Sequence, residues 1–428
     1  MKISFIKNML RRPFIVALST LCTHTAFSAN KPTKIVIFTS KGGYGHMAAC
    51  STLKTFLPEY DVKIVNPFEE VFNSLDIVKK ITFGKLDYEM CYNKLMQNGW
   101  TRTINFITRY PGWGAVRLTK KSLEHKIYNF LRAEKPDLLL SLIPLINYPA
   151  STAAQRCNIP FLLMTLDMDL TTWLLDMEKC KHPNFHMTVV SKTPRIIKQL
   201  AQHHIADSKV TSLGFHLRPD FFEKKDAAQI CTTWNLPTDK PKIMLMMGGV
   251  GTEQLTGYAK KLLQLPFEAH LMVCAGKNTQ LAAKLKSFTQ SDLVSMSIIP
   301  FTTRISDLMF VADLFVTKPG PNACYEALHF GLPILVDGTM PAMFWERASL
   351  DLVLASGNGC MIKNTKQLST LIKQYLDTKK TTNYQENNFE KTLKKTIALV
   401  LGHQKQEQET VSVVKTPNSN VIKPAQAS

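Results

Sequence analysis

The chain has 428 residues, of which 45% are hydrophobic, so it is long enough to bury two α/β cores. Its formal charge of +19 indicates an anionic partner, which is nucleic acid, an anionic membrane surface or a phosphorylated substrate. The sequence has no zinc-finger spacing and no RNA-binding signature, so we expect no nucleic-acid partner. Its nine cysteines include no Cys-x-x-Cys pair, and no residues cluster at metal-ligand spacing, which argues against a disulfide framework and a metal site.

Residues 1–30 have the features of a leader. Lys2, Lys7, Arg11 and Arg12 precede an apolar run over residues 14–21, and small residues suited to cleavage follow at 26–28. This pattern is typical of a secretory signal peptide and equally of an uncleaved, basic amphipathic anchor. The apolar run is too short to span a bilayer.

The first predicted domain, residues 31–215, opens as a doubly wound α/β fold does. A buried strand beginning at Lys34 leads into a glycine loop over Ser40 to His46, a helix over Met47–Phe56 and a strand over Val62–Val65. The third glycine of the dinucleotide fingerprint is missing from the loop, which disfavours a nicotinamide cofactor.

A long segment between residues 67 and 121 interrupts the α/β rhythm. Aromatic rings prefer the headgroup region of a bilayer and cations are drawn to anionic lipid, so this composition predicts a membrane-docking surface that admits a lipid. The alternative is a helical insertion whose aromatic residues pack on their own domain. The residues concerned are Lys79, Lys80, Phe83, Lys85, Tyr88, Tyr92, Trp100, Arg102, Phe106, Arg109, Trp113, Arg117, Lys120 and Lys121.

The α/β rhythm resumes after the insertion. Asp167 and Asp169 form an Asp-x-Asp after one predicted strand, with Trp173 close behind. The remaining predicted elements of this domain are a helix over Ser122–Ala133, strands over Leu138–Ser141, Phe161–Thr165, Val189–Ser191 and Val210–Leu213, and a helix after Pro194.

The second predicted domain, residues 222–380, repeats the pattern. Its first strand ends in a glycine loop that contains Gly248, Gly249, Gly251 and Thr252. Residues 381–402 are predicted to form a last helix, centred on Asn387–Val400, and residues 403–428 a disordered tail. The other predicted elements are strands over Ile243–Met247, Leu271–Ala275, Val294–Pro300 and Leu314–Thr317, and helices over Glu253–Leu263 and Ile305–Val311.

The stretch Thr317 to Pro333 reads as a strand, a tight turn and a helix. Asn322 is the predicted N-cap of a helix over Cys324–His329. Unpaired N–H groups and the helix dipole suit a phosphate at such a turn. Glu326, one turn inside, is placed to accept hydrogen bonds from a ribose diol.

This stretch carries Lys-Pro-Gly-Pro, then Glu-Ala, then Gly-Leu-Pro. It closely resembles the nucleotide-binding motif of the monogalactosyldiacylglycerol synthases and the bacterial diacylglycerol glucosyltransferases, which carry Lys-Ala-Gly-Pro, Glu-Ala and Gly-Leu-Pro at this spacing. These enzymes belong to glycosyltransferase family 28, together with the lipid II synthase MurG. Other motifs agree in order: a glycine loop ending in His46 resembles their Gly-Gly-Gly-His with Tyr44 in place of one glycine, and Gly214 to Phe222 resembles their interdomain hinge with His216 in place of a proline.

The resemblance covers roughly residues 34–400 and implies an α/β fold of the GT-B type, in which two Rossmann-like doubly wound domains face a cleft. It implies transfer of a hexose from a UDP-sugar to diacylglycerol or a similar lipid, with inversion at the anomeric carbon. The alternatives are MurG-like transfer of N-acetylglucosamine to another lipid, a degenerate UDP-sugar-binding protein, and an epimerase or hydrolase on the same fold. No cofactor and no metal are implied, so the Asp-x-Asp is not assigned to a metal.

The resemblance also implies the site. His46 is the expected catalytic base and Asp167 the rival base. Gly43, Gly45 and Trp173 would face the acceptor. The donor would be held by Gly248, Gly249, Gly251, Thr252, Phe301, Arg304, Lys318, Gly320, Pro321, Asn322 and Glu326.

One departure concerns the sugar. Relatives carry a Gln-Glu pair after the Gly-Leu-Pro that contacts the donor hexose, whereas this chain has neither residue at that spacing. Glu346 replaces the pair if a small insertion precedes it, while a gapless comparison places Met343 and Phe344 there. Nucleotide sugars are cytosolic, so we expect a peripheral protein at the cytoplasmic face of a membrane, with export through the leader as the alternative.

Overall fold

The computed structural model describes residues 32–42, 45–73, 85, 87–248, 252–377 and 388–414, with side chains described as far as residue 402 except at positions 88 and 97. The predicted leader lies outside these residues. So do three of the predicted site residues, Gly43, Gly249 and Gly251, and three residues of the predicted membrane-docking segment, Lys79, Lys80 and Phe83.

The first domain is built on a six-stranded parallel sheet in the order β2-β1-β3-β4-β5-β6. The strands are short apolar runs, and those at the centre are buried along their whole length because helices cover both faces. Their bounds are β1 Lys34–Phe38, β2 Asp61–Val65, β3 Leu138–Ser141, β4 Phe161–Met164, β5 Phe185–Val189 and β6 Val210–Ser212.

The fifth strand differs from the prediction, which placed it over Val189–Ser191. It begins four residues earlier, at Phe185, and contains His186. This ring is buried, and its Nε2 is hydrogen-bonded at 2.8 Å to Oγ1 of Thr211 on the neighbouring strand, which offsets the cost of burying a polar group. Because His186 is polar, it interrupts the apolar run by which a buried strand is identified in the sequence, although its hydrogen bond allows it to be buried there.

The predicted interruption after residue 67 is largely helical where the structure describes it. Its last helix begins at Trp113 rather than at Ser122, because a π-helical segment over Thr108–Gly112 carries the chain past Pro111 without a loop. The helices of the first domain are α1 Gly45–Phe56, α2 Pro67–Glu70, α3 Tyr88–Gln97, α4 Thr101–Ile107, α5 Trp113–Glu134, α6 Asn147–Arg156 and α7 Pro194–Gln202.

The second domain contains another six-stranded parallel sheet, in the order β12-β11-β10-β7-β8-β9. Counted within the domain this is the Rossmann order, and its reversal point lies between β7 and β10, where such sheets bind ligands beyond the carboxyl ends of the strands. The bounds are β7 Lys242–Met246, β8 Ala269–Gly276, β9 Val294–Pro300, β10 Leu314–Thr317, β11 Ile334–Asp337 and β12 Gly359–Ile362. The two sheets confirm the predicted GT-B class.

Helices cover both faces of the second sheet. The helix after β10 begins at Pro321 with Gly320 as its N-cap, so Asn322 lies in the first turn and is not the cap that we predicted. Proline is favoured there because its missing N–H is one of the unpaired groups of a helix start. The helices are α8 Ala227–Thr233, α9 Gln254–Leu262, α10 Thr279–Lys286, α11 Ile305–Val311, α12 Pro321–His329, α13 Arg347–Ala355 and α14 Leu368–Leu376.

The last helix, α15 Phe389–Val414, returns to the first domain, where Phe389, Leu393, Ile397 and Val400 join the core. It continues beyond residue 402, so residues 403–414 of the expected disordered tail are helical. Glutamine, glutamate and lysine dominate their first half and are good helix formers. In the part of the chain that the structure describes, no helix combines the length and the apolarity needed to cross a bilayer.

Packing at the edge of the second sheet makes one glycine sensitive to substitution. A Cβ at Gly359 would lie 2.4 Å from the carbonyl oxygen of Ile334 and 2.6 Å from Cγ1 of Val353. Gly359→Ala should therefore lower the free energy of unfolding by about 3 kcal/mol, measured by urea denaturation. The matched control is Gly257→Ala in α9, where a Cβ meets nothing within 4 Å and alanine should raise helix stability by up to about 1 kcal/mol. Equal effects of the two changes would contradict this packing.

Candidate active site

A cavity of about 300 Å³ lies where the carboxyl ends of the two sheets face each other. It is lined from both domains and opens at the reversal point between β7 and β10, as the fold predicts. Twelve of the predicted site residues line it: Gly45, His46, Asp167, Gly248, Thr252, Phe301, Lys318, Gly320, Pro321, Asn322, Glu326 and Glu346.

His46 lies in the first turn of α1, at the first-domain wall of the cavity. Its Nδ1 is 2.7 Å from the carbonyl oxygen of Leu142, which follows β3. A carbonyl only accepts, so Nδ1 carries the hydrogen and Nε2 is the basic nitrogen. Burial holds the pKa of His46 below its usual value of 6.5, and the Leu142 carbonyl opposes this shift. The imidazole is therefore mainly neutral at pH 7 and able to accept a proton.

Asp167 follows β4 and also lines the cavity. Burial raises its pKa to about 7, against the effect of a hydrogen bond from Trp173, whose Nε1 donates to Oδ2 at 2.8 Å. The negative charge of Glu346 raises it further. Asp167 is thus near its titration point at neutral pH. Like His46 it lines the cavity, so it is the second group there that could accept a proton.

Trp173 does not have the predicted position. Its side chain is fully buried, and it contacts Asp167 and the His46 ring, whose centroid is 6.2 Å away, rather than the cavity. An indole N–H needs a partner when it is buried, and the carboxylate supplies one. Trp173 therefore positions Asp167 and does not face an acceptor.

On the second-domain wall, Lys318, which is partly exposed, and Glu346, which is buried, form an ion pair of 2.7 Å. The Glu346 side chain is only 6% exposed. Lys318 also lies beside two glycines, because a Cβ at Gly248 or Gly320 would be 3.2 Å or 3.9 Å from its Cε. The structure thus brings Glu346 to the cavity, together with Met343 but not Phe344.

The start of α12 faces α1 across the cavity. A Cβ at Gly45 would lie 3.3 Å from Oδ1 of Asn322, so glycine allows the two domains to approach closely here. The Gly320 N–H was expected to meet a diphosphate, but it donates to the carbonyl oxygen of Lys318 at 2.7 Å. The N–H groups of Asn322 and Ala323, in the first turn, are the ones that the helix leaves without internal partners.

Thr252 supplies a further polar group to this wall. Its side chain is 5% exposed, and its Oγ1 has no hydrogen-bond partner among the described residues. This hydroxyl lies at the cavity wall, where it can donate to a ligand oxygen.

Glu326 lies one turn into α12, as predicted, and burial raises its pKa to about 7. Its nearest cation is Arg218, whose Nη2 is 3.8 Å from Oε1 and whose charge opposes this shift. Phe301 lines the same end of the cavity, and Nζ of Lys277 lies 4.7 Å from its ring centroid.

Arg304 is not where we predicted it. Its guanidinium pairs with both carboxylate oxygens of Asp307, at 3.0 and 3.1 Å, and with Glu223 at 3.0 Å, and it does not line the cavity. Arg218 lines it instead and also donates to the carbonyl oxygen of Thr303 at 2.9 Å. Sequence reasoning missed Arg218, although it lies within the hinge motif.

Glu89 of α3 was also missed. This buried carboxylate accepts from Oγ of Ser40 at 2.6 Å and from the N–H groups of Lys41 and Gly42 at 2.6 and 3.2 Å. The insertion thus holds the described part of the first glycine loop, and those N–H groups bind protein instead of a ligand. Its only signal in the sequence is an acidic residue in a basic segment.

Elsewhere, the described residues contain no group of three or more His, Cys, Asp or Glu side chains arranged to hold a metal ion. In the Asp-x-Asp, Asp169 pairs with Arg195 at 2.8 Å.

Residues 243–338 match the glycosyltransferase family 28 C-terminal domain. Over 372 residues the chain is 23% identical to monogalactosyldiacylglycerol synthase 1 of Arabidopsis thaliana, covering 80% of this chain and 65% of that protein. It is also 23% identical over 330 residues to a processive diacylglycerol beta-glucosyltransferase of Bacillus subtilis, covering 75% of this chain and 81% of that protein.

Solved structures share the fold at low identity. MurG of Acinetobacter baumannii superposes with a TM-score of 0.53 at 12% identity, covering 90% of this chain and 99% of MurG. The MnaA–UDP structure from Staphylococcus aureus has a TM-score of 0.53 at 13% identity, covering 86% of this chain and 97% of that one. The predicted relationship is confirmed: part of the second domain matches the glycosyltransferase family 28 C-terminal domain, and the chain is similar over most of its length to diacylglycerol glycosyltransferases.

Proposed function

We propose that this chain is an inverting glycosyltransferase that moves a hexose from a UDP-sugar to diacylglycerol or a similar membrane lipid. One observation carries the proposal. A helix start with an adjacent lysine and a carboxylate one turn inside faces, across a single cavity, a neutral imidazole and a carboxyl group of the other domain. The named activities of the Arabidopsis and Bacillus relatives supply the hexose and the diacylglycerol acceptor.

The donor is assigned by charge and polarity. The diphosphate lies at the start of α12, where the N–H groups of Asn322 and Ala323, the dipole and Lys318 attract an anion. Thr252 donates its hydroxyl there. The ribose lies against Glu326 and the base beside Phe301, which leaves the hexose at Glu346, next to the first domain.

The transfer is a displacement at the anomeric carbon. Nε2 of His46 takes the proton of the acceptor hydroxyl while its oxygen forms the new bond. The bond from that carbon to the diphosphate breaks, and UDP leaves with the electron pair, stabilised by Lys318 and the helix start. Asp167 is the rival base. The proposal needs no cofactor and no metal, since the UDP-sugar is a substrate and these groups supply positive charge.

An exposed aromatic surface on the first domain indicates how the lipid is reached. Trp100, Phe106, Tyr110 and Leu118 have exposed fractions of 57, 61, 64 and 89%. They occur between the end of α3 and the first turns of α5, among the exposed cations Arg102, Arg109, Arg117 and Lys121. Rings and cations together suit an anionic membrane surface. We propose peripheral binding at the cytoplasmic face, with export as the alternative if the leader is cleaved.

Removing the rings should weaken membrane binding alone. We expect Trp100→Ala/Phe106→Ala to lower partitioning into phosphatidylglycerol-containing vesicles by about tenfold, because two large apolar contacts are lost, with UDP affinity unchanged. Vesicle co-sedimentation measures this. Leu118→Ala and Leu354→Ala form a matched pair of exposed leucines. Leu118→Ala should lower vesicle partitioning, whereas Leu354→Ala, on the second domain, should leave it unchanged. Unchanged partitioning of the double variant would contradict the assignment.

The function is tested by UDP release from UDP-galactose, UDP-glucose and UDP-N-acetylglucosamine with mixed-lipid vesicles. Release that depends on added diacylglycerol supports the proposal, and the most active donor identifies the sugar. Release without any acceptor would instead indicate a hydrolase or epimerase. Binding of UDP without turnover on any lipid would indicate a degenerate UDP-sugar-binding protein.

A further inference from the structure

The loop over residues 338–346 carries much of the second-domain wall of the cavity. Met343, Trp345 and Glu346 all line it. The ends of the loop are held within their own domain. At the start, the Gly338 N–H donates to the carbonyl oxygen of Ile362, and at the end Glu346 pairs with Lys318.

The middle of this loop takes its side-chain hydrogen bonds from the other domain. Asn105 of α4 donates from Nδ2 to the carbonyl oxygen of Ala342 at 3.1 Å and accepts at Oδ1 from the Phe344 N–H at 3.1 Å. One amide thus pairs with the backbone on both sides of Met343. The Tyr92 hydroxyl, on α3, approaches Sδ of the same methionine at 3.8 Å.

We propose that Asn105 is a positioning residue for the sugar half of the donor, an inference that rests on the proposed function. It touches no substrate, but it sets the path of the backbone two residues before Glu346. The hexose, lying beyond the diphosphate, meets this loop, whereas the uridine and the diphosphate meet α12, Thr252 and Phe301. Loss of the amide should therefore affect the sugar and spare the nucleotide.

Because Glu346 is charged, the position of its carboxylate affects the neighbouring groups of the site. It pairs with Lys318 on one side and acts on Asp167 on the other. A loop that shifts by about 1 Å changes both distances, and hydrogen bonds weaken steeply with such displacement. The first domain thus helps to select the sugar through a residue of its helical insertion.

The test compares dissociation constants of the full-length chain for UDP, UDP-galactose and UDP-glucose, measured by isothermal titration calorimetry. We expect Asn105→Ala to weaken binding of the preferred UDP-sugar by about tenfold, or about 1.4 kcal/mol, with UDP affinity unchanged within about twofold. Asn105→Asp keeps the acceptor for the Phe344 N–H and loses the donor. Its affinity for the UDP-sugar should therefore lie between that of the unaltered chain and that of Asn105→Ala. Asn129→Ala, an exposed asparagine on α5, is the matched control and should behave as the unaltered chain.

The possible results distinguish failure of the proposed role of Asn105 from failure of the proposed glycosyltransferase function. A selective loss for the UDP-sugar, graded from alanine to aspartate, supports the positioning role. An equal loss for UDP and UDP-sugar indicates a merely structural contact and overturns it, as does no loss at all. Failure of the unaltered chain to bind UDP would overturn the proposed function together with the inference.

Discussion

His46→Ala should lower kcat for UDP release by about 1,000-fold while the dissociation constant for UDP stays unchanged, because a positioned base contributes roughly 10²–10⁴ in rate. The imidazole lies on the first-domain wall of the cavity, with Nδ1 held by the Leu142 carbonyl and Nε2 left without a hydrogen, as the proposed base requires. UDP binding, measured by calorimetry, reports that the variant is folded. His46→Gln is the conservative control, since its amide can donate to Leu142 but cannot accept a proton at neutral pH.

The pH profile separates His46 from its rival Asp167. A base acts when it is unprotonated, and the pKa of His46 is held below 6.5 while that of Asp167 is about 7. If His46 is the base, kcat/KM should be flat through pH 7 and fall only below about pH 6.5. If Asp167 is the base, the fall is centred near pH 7.

Asp167→Asn provides the complementary test. We expect it to lower kcat less than His46→Ala, because it removes a charge near the reacting centre but leaves the imidazole. A larger loss in Asp167→Asn, together with a fall centred near pH 7 in the unaltered chain, would contradict the assignment and identify Asp167 as the base.

Lys318→Met should have the second large effect, on both stability and turnover. It leaves the Glu346 carboxylate, 6% exposed, without its cation. Breaking a buried pair on one side costs about 3 kcal/mol of unfolding free energy, measurable with urea. It also removes the charge beside the leaving diphosphate, which should lower kcat by about 100-fold.

The double variant Lys318→Met/Glu346→Gln distinguishes these two effects. With the carboxylate neutralised, most of the lost stability should return, because no charge is left buried alone. Turnover should stay low, since the diphosphate still lacks its cation. Recovery of both would show that Lys318 serves only to neutralise Glu346, and recovery of neither would show that the pair is not an isolated unit.

The sheets could be predicted from the sequence because buried parallel strands are short apolar runs bounded by glycine and proline. The strand over Leu314–Thr317 was predicted to the residue. The errors arose where tertiary contacts override local patterns: His186 is satisfied by Thr211 inside a strand, and a π-helical segment accommodates Pro111.

The site was predicted as far as motifs extend. Gly45, Gly248, Gly320 and Glu326 follow strand ends within motifs that resemble those of a known family, and all four line the cavity. The choice between Arg304 and Arg218, and the partner of Trp173, depend on which side chains meet across distant parts of the chain. Spacing along the sequence does not specify contacts between side chains that are distant in the chain, so these contacts are known only from the structure.

The return of the last helix to the first domain means that the polypeptide passes between the two halves twice, once after β6 and once before Phe389. A single tether would allow one half to swivel freely about the other, whereas two tethers suppress twisting and leave a rocking motion about the line that joins them. The two connections would thus limit how far the halves can turn against each other, and would keep His46 in register with the second-domain wall of the cavity.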